Sequence, residues 1–158
     1  MEIMRKKNQR SGIWFYGLAG TGKTFASERC AQLVQDAFII DGDVVRKFIS
    51  FDLGYSKDDR NKQLKRVYGL ATIALRNLNF PIISTVFMNK EIFKACKKVR
   101  IDVVQIERSL DQVYNSRSIY FDTSNVVGKD ISLENLNTAK IFNSGDQSFI
   151  KLVEQYVE

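Results

Sequence analysis

Residues 17–24 read GLAGTGKT and match the pattern GxxxxGK[S/T]. Glycines at these spacings let the backbone curl until several N–H groups converge on phosphate oxygens. A helix that begins near Lys23 directs the positive end of its dipole at the same anion. The stretch therefore predicts a loop that binds the phosphates of a nucleotide.

The sequence on either side fits such a loop. The apolar run 13–16 precedes it as a strand, and good helix formers follow it over 23–35. Lys23 is predicted to reach the β- and γ-phosphates as a catalytic residue, and Thr24 to ligate Mg²⁺ through its hydroxyl. The residues expected to surround the phosphates with their backbone are Gly17, Ala19, Gly20, Thr21 and Gly22.

Apolar runs alternate with helical patterns along the rest of the chain, which predicts an α/β fold: a parallel β-sheet flanked by helices on both faces. Further strands are expected at 37–40, 82–87, 101–106 and 139–142, and further helices at 91–99, 110–115 and 147–157. A long helix is expected after Ser56, which can cap it with Asp59 three residues later. Its apolar positions recur at three- and four-residue steps as far as Leu78.

The strand predicted at 37–40 runs into Asp41, Gly42 and Asp43. Parallel strands deliver their C-terminal residues to the sheet edge that also carries the phosphate loop. Asp41 is therefore expected near the γ-phosphate, to accept the proton of an acceptor hydroxyl or to hold a water on Mg²⁺, and Asp43 can share either role. Arg46, about one turn further, is predicted to hold an acceptor phosphate. The alternative interpretation of residues 41–43 is a polar turn.

Residues 57–66 carry five basic side chains, and Arg60 is the one singled out for function. Arg60 and Gln63 share a helical face because they are three residues apart. Arg60 is predicted to bind an acceptor anion, while the lysines of this segment are expected to face solvent.

Length and composition exclude several classes of protein. The chain has 158 residues, enough for one domain. It has no histidine, so proton transfer falls to carboxylates, lysines, tyrosines or water. Two cysteines are too few for a disulfide scaffold and fit a cytoplasmic location. No run approaches the roughly 18 apolar residues of a membrane span, so no membrane partner is expected.

The net charge of +6 is concentrated in two segments, because residues 1–10 contribute +3 and residues 90–100 contribute +4. The excess indicates an anionic partner. Neither segment forms a recognisable nucleic-acid-binding module, so a basic helix that binds DNA or RNA stays a minor alternative. The sequence also lacks the NKxD and DxxG motifs of guanine-specific switch proteins. Small-molecule kinases are the main class that remains.

Three motifs together resemble the adenylylsulfate kinase family: residues 17–24, residues 41–46 (DGDVVR) and residues 52–60 (DLGYSKDDR). Weaker similarity follows at 118–120 and 126–131. The resemblance implies a single P-loop kinase domain over 1–158, with 1–11 as a flexible basic N-terminus. It also implies transfer of the γ-phosphate of ATP to the ribose 3′-hydroxyl of a nucleotide, and a homodimer.

The resemblance also assigns roles to residues on the acceptor side. Asp41 and Asp43 match the acidic pair near the reacting hydroxyl, and Asp41 is also a candidate metal residue. Arg46 and Arg60 match arginines that grip the acceptor's phosphate and its attached anion. Tyr55 matches an aromatic residue that stacks on the acceptor base. A further acceptor contact is implied at Gln63, where the family usually has Asn.

Two departures from the family pattern concern the acceptor. Residues 87–89 read Phe-Met-Asn in place of Ile-Ser-Pro, and the family's mobile lid is shortened to residues 117–122, where Arg117 is expected to contact ATP. Related kinases of capsule biosynthesis phosphorylate the ribose of cytidine diphosphoramidate. The acceptor is therefore left open between adenylylsulfate and a cytidine diphosphate conjugate. The alternative function is a P-loop nucleotide-binding protein that is catalytically silent or needs a partner.

Overall fold

The structure of the protein, a computed structural model, describes residues 9–116 and 124–158. Its strands are β1 (Gly12–Tyr16), β2 (Ala37–Asp41), β3 (Phe80–Thr85), β4 (Ile101–Glu107) and β5 (Ala139–Phe142). Its helices are α1 (Lys23–Leu33), α2 (Gly42–Phe48), α3 (Lys57–Arg76), α4 (Lys90–Lys98), α5 (Leu110–Ser116) and α6 (Gln147–Glu154). None of these helices is long and apolar enough to cross a bilayer.

The five strands form one parallel sheet in the order β2-β3-β1-β4-β5, which confirms the predicted fold class. Each residue of the central strand β1 is buried because helices cover both faces of the sheet. Trp14 and Tyr16 pack on the face that carries α3 and α4, while Ile13 and Phe15 pack on the face that carries α1 and α6. The register brings the C-terminal ends of the strands to one edge, with Asp41 beside Ser84.

Helix α3 begins where the sequence predicts, since the Ser56 hydroxyl accepts a hydrogen bond from the Asp59 backbone N–H at 3.2 Å. The predicted series of apolar helix positions was wrong at its last member, Leu78. Leu78 lies beyond the end of the helix, has φ of 61° in the turn toward β3, and is 75% exposed. The helical period therefore extended past the residue where the backbone leaves the helix.

Arg10 and Ser11, at the end of the N-terminal segment predicted to be flexible, make contacts beside the sheet. The Arg10 guanidinium pairs with the Asp102 carboxylate at 2.8 Å, and the Ser11 N–H donates to the Arg100 carbonyl at 2.9 Å. Both contacts tie the start of β1 to the neighbouring strand β4. Residues 1–8, and the predicted lid residue Arg117, lie outside the described residues.

Candidate active site

The phosphate loop depends on two glycines for steric reasons. A Cβ at Gly17 would lie 2.3 Å from the Ile106 carbonyl oxygen, closer than any side chain permits. Gly22 has φ of 103°, a left-handed conformation that disfavours other residues, and it directly precedes α1. The predicted sequence of strand, loop and helix is confirmed, with α1 beginning at Lys23.

Side chains within the loop fold back onto a single carbonyl group. The Thr21 hydroxyl donates to the Leu18 carbonyl at 3.0 Å, and Lys23 Nζ donates to the same oxygen at 2.9 Å. The Lys23 ammonium is thereby held beside the loop rather than directed away from it. This places a positive charge where the loop would bind phosphate.

Two residues that brace the loop were missed by the sequence analysis. Arg108 Nη1 donates to the Gly20 carbonyl at 3.0 Å, and Asn143 Nδ2 donates to the Thr21 carbonyl at 2.8 Å. Both directly follow a strand, β4 and β5 respectively. Polar residues immediately after parallel strands are the signal that would have found them.

The acidic pair stands at the start of α2, a helix that the sequence analysis did not predict. The Asp41 carboxylate caps this helix, accepting a hydrogen bond from the Asp43 N–H at 2.8 Å through Oδ1. The alternative of a polar turn at residues 41–43 is therefore wrong: Gly42 is already the first helical residue. Asp43 lies in the first turn, where a carboxylate is favourable.

Tyr55 lies against two guanidinium groups, at 4.3 Å from ring centroid to Arg46 and 5.5 Å to Arg60. Arg46 Nη1 donates to the Gly54 carbonyl at 2.8 Å. Arg60 is 9% exposed and donates to the carbonyls of Tyr55 and Asn125 at 3.1 and 2.9 Å. Burial, reinforced by the nearby charge of Arg46, lowers the pKa of Arg60 from its usual range. An anion bound here would offset the repulsion between the Arg46 and Arg60 guanidinium groups.

The segment that carries Tyr55 is fastened to α3 at two points. Arg66 makes a bidentate pair with Asp52, with N–O distances of 2.6 and 2.9 Å. The Gly54 N–H donates to the Asp59 carboxylate at 2.9 Å. The hydrogen bond from Arg66 lowers the pKa of Asp52 to about 2. These contacts hold the backbone of residues 52–54, directly before Tyr55, against α3.

One cavity of about 590 Å³ brings the two halves of the predicted site together. The predicted residues that line it are Ala19, Gly20, Gly22, Lys23, Thr24, Asp41, Asp43, Arg46, Tyr55, Arg60 and Gln63. Gly17 and Thr21 do not line it. Gly17 instead leaves room for the Ile106 carbonyl, and the Thr21 hydroxyl donates a hydrogen bond within the loop. Three cations and two carboxylates thus share one cleft. The cations suit phosphorylated ligands, and a carboxylate can accept a proton.

Only one of the three residues in the unusual 87–89 segment faces this cavity. Phe87 lines it and is 3% exposed. Met88 is fully buried in the core, and Asn89 caps α4 and donates to Asn61 at 2.9 Å. Of the three residues that differ from the family pattern, Phe87 is therefore the one placed to contact a ligand in the cavity.

The donor set of the cleft fits Mg²⁺. Thr24 supplies a hydroxyl and Asp41 a carboxylate, both oxygen ligands of the kind that Mg²⁺ prefers. The described residues contain no cluster of three or more metal-ligating side chains. Mg²⁺ commonly completes its coordination with water and substrate phosphates rather than a protein cage, so this sparse set is sufficient.

A second cavity, of about 610 Å³, lies near the amino-terminal ends of β4 and β5. Arg10, Lys97, Arg100 and Asp102 contribute its charged lining. Of the predicted site residues that the structure describes, none lines it. Despite its similar size, it is lined by none of the phosphate-loop residues.

A family model described as adenylylsulphate kinase matches residues 9–120, most of the chain. The chain belongs to the adenylylsulphate kinase family. The match includes the phosphate loop, the acidic pair at residues 41 and 43, and the segment from Asp52 to Arg60. The family assigned from three short motifs is confirmed.

Curated relatives in the family resemble only part of this chain. The adenylyl-sulfate kinase of Picosynechococcus sp. is 33% identical over 98 residues, covering 60% of this chain and 55% of its own. That of Chloroflexus aurantiacus is 35% identical over 88 residues, covering 52% and 47%. The chain thus spans about half the length of the curated relatives it matches.

Among solved structures, the APS kinase of Mycobacterium tuberculosis in complex with AMPPNP and APS has the same fold. Its TM-score is 0.80 at 18% identity, covering 94% of this chain and 96% of that one. The similarity of fold extends through the C-terminal part of the chain, beyond the region matched by the family model.

Proposed function

We propose that this protein is an ATP-dependent kinase that transfers the γ-phosphate to the ribose 3′-hydroxyl of a nucleotide acceptor. The acceptor is either adenylylsulfate or a cytidine diphosphate conjugate such as cytidine diphosphoramidate. The observation that carries the proposal is the single cleft in which Lys23 and Thr24 face Asp41, Arg46 and Arg60. Such a cleft can hold a phosphate donor and an anionic acceptor side by side.

In the proposed reaction the acceptor hydroxyl oxygen bonds to the γ-phosphorus as the bond to the bridging oxygen of ADP breaks. The hydroxyl proton passes to the carboxylate of Asp41 or Asp43. Lys23 and the loop N–H groups stabilise the charge on the phosphates, and Arg46 and Arg60 position the acceptor. Thr24 and Asp41 would hold Mg²⁺, which neutralises phosphate charge when bound.

Family membership supports adenylylsulfate as acceptor. Phe87 in the cavity and the shortened lid depart from the family pattern on the acceptor side, and the cytidine conjugate is therefore kept as the second candidate. The second acceptor would place the protein in capsule biosynthesis. We also propose a cytoplasmic homodimer. Two free, buried cysteines fit that compartment, and one family member of the same fold, from Thiobacillus denitrificans, is described as hexameric, so assembly occurs among relatives.

The test is ADP release from ATP and Mg²⁺ with each acceptor in turn, using wild type, Lys23→Ala and the exposed-lysine control Lys62→Ala. We expect turnover with one acceptor, its loss in Lys23→Ala, and its retention in Lys62→Ala. Tight ATP binding without transfer to either acceptor would instead support a catalytically silent nucleotide-binding protein.

A further inference from the structure

The second cavity, of about 610 Å³, lies at the end of the sheet opposite the cleft. Strand β4 begins at Ile101, but its pairing with β5 begins only at Val104, opposite Ala139. The edge of residues 101–103 that faces away from β1 is therefore covered by no described strand, and the cavity opens beside it. Its volume falls within the range of about 300–1,000 Å³ that small-molecule sites occupy.

The charged lining of this cavity has an excess of cations. Three basic side chains, Arg10, Lys97 and Arg100, line it together with one carboxylate, Asp102. Arg10 is paired with Asp102 at 2.8 Å. Neither Lys97 nor Arg100 forms an ion pair with any residue that the structure describes. Two positive charges are thus left for an anion to neutralise.

Two aromatic rings also line the cavity, and each lies beside a cation. Lys97 Nζ is 4.5 Å from the centroid of the Phe93 ring, and the Arg10 guanidinium carbon is 5.4 Å from that of Tyr156. Phe93 packs with the core on one face of the sheet and Tyr156 with the core on the other. The two rings therefore approach the cavity from opposite helical layers, and each offers a flat surface on which a planar group can pack.

Arg100 adopts a backbone conformation that costs free energy. It directly follows Val99, the C-cap of α4, and has φ of 62°, a position at which glycine is the usual residue. Asn137, which lines the same cavity, has φ of 55°. Strained residues of this kind cluster at ligand sites. An arginine in a position suited to glycine, lining a cavity with an excess of cations, is therefore a candidate for binding an anion.

We propose that this cavity is a second ligand site, which binds a small molecule of the aryl phosphate class: an anionic group joined to an aromatic ring. Lys97 and Arg100 neutralise the anionic group, and Phe93 and Tyr156 contact the ring. The site is lined by none of the phosphate-loop residues, so the proposal is independent of the proposed kinase function.

The experiment titrates ¹⁵N-labelled protein with phenyl phosphate and follows the backbone amide signals by NMR, with and without excess ADP and Mg²⁺. Cyclohexyl phosphate, which keeps the charge but lacks the aromatic ring, is titrated in parallel. The variant is Arg100→Gly, and its matched control is Leu78→Gly. Leu78 also follows a helix C-cap, has φ of 61° and does not line the cavity. Both substitutions relieve the same backbone strain, and only Arg100→Gly removes a lining cation.

We expect phenyl phosphate to shift the amide signals of Arg100, Asp102 and Asn137 whether or not ADP is present. Arg100→Gly should bind it about tenfold more weakly, because a charged contact to the anion is lost. Leu78→Gly should bind it as wild type does, and wild type should bind cyclohexyl phosphate more weakly than phenyl phosphate. Should melting curves show that Arg100→Gly is unfolded, Lys97→Gln serves instead, with the same expected loss.

The absence of saturable shifts at the cavity would overturn the proposal. So would shifts confined to the phosphate loop and abolished by ADP, because the anion would then occupy the cleft. Equal affinity of wild type and Arg100→Gly would remove the cation from the site, and equal binding of phenyl and cyclohexyl phosphate would refute the role of the rings; either result contradicts the proposal.

Discussion

The backbone N–H of Asp43 donates to Oδ1 of Asp41 at 2.8 Å, so the first carboxylate caps the helix that carries the second. This contact fixes the orientation of Asp41 at the end of β2. Asp43, in the first turn of the helix, lines the same cleft. Asp41 thus both caps α2 and is a candidate for the proposed proton transfer. Substitutions can separate the capping role from the proton transfer.

Asp41→Asn should lower kcat by about a hundredfold or more while leaving ATP affinity within about twofold, because proton acceptance is lost but phosphate binding is not. Asparagine caps helices as well as aspartate does, so the melting temperature should hardly change. Asp43→Asn, measured alongside, should have the smaller effect on kcat. Unchanged kcat in Asp41→Asn would remove this carboxylate from the chemistry.

Gly17→Ala should destabilise the protein by about 2 kcal/mol or more and weaken ATP binding, because its Cβ would collide with the Ile106 carbonyl. Gly69→Ala is the matched control. Gly69 lies within α3 and a Cβ there meets nothing within 4 Å, so stability should rise by about 0.5–1 kcal/mol. Urea unfolding of the two variants measures both changes, and a tolerated Gly17→Ala would contradict the loop geometry.

Arg66→Gln should raise the KM for the acceptor about threefold to tenfold and leave the KM for ATP unchanged, because it releases the segment that carries Tyr55. Steady-state kinetics with each substrate varied in turn gives both constants. Equal changes in both KM values would point to a general loss of structure instead.

The same ion pair predicts a pH dependence. The pKa of Asp52 is about 2 in the folded protein, below the value of about 4 expected in the unfolded chain. The folded state therefore binds this proton less readily, and the stabilisation is complete above about pH 4 and lost as pH falls toward 2. The difference in urea midpoint between wild type and Asp52→Asn should be constant at higher pH and shrink in that window; a difference that grew on acidification would have the wrong sign.

Cys30 and Cys96 should not react with a thiol reagent at pH 8 in the folded protein. Burial raises the pKa of both thiols to about 12, so the reactive thiolate is scarce and also inaccessible. Spectrophotometric titration should detect no thiol in native protein and both in denaturant. Rapid reaction of either cysteine without denaturant would show that its helix opens readily.

The sequence predicted those parts of the site that depend on local pattern. Lys23 and Thr24 follow from the loop motif, and Asp41 follows from the rule that parallel strands end at one edge. Arg60 and Gln63 were placed together by helical spacing, and both are buried in the cleft. The position of each of these residues depends only on the helix, strand or loop that carries it and on the direction in which that element runs.

Other features depend on how distant elements pack, and the sequence did not reveal them. Arg108 and Asn143 reach the loop only because β4 and β5 extend the sheet on that side of β1. The inward position of Phe87, with Met88 in the core, depends on how the chain leaves β3 for α4. The short helix α2 was missed because seven residues carry little periodicity.

The central claim is that phosphate moves from ATP to a nucleotide ribose within this cleft. Its most direct test is to incubate the protein with γ-labelled ATP, Mg²⁺ and each acceptor, and to locate the label by phosphorus NMR of the separated product. The account predicts label on the 3′-oxygen of one acceptor, in equal amount to the ADP formed. Label released only as inorganic phosphate, or retained in ATP with both acceptors, would contradict it.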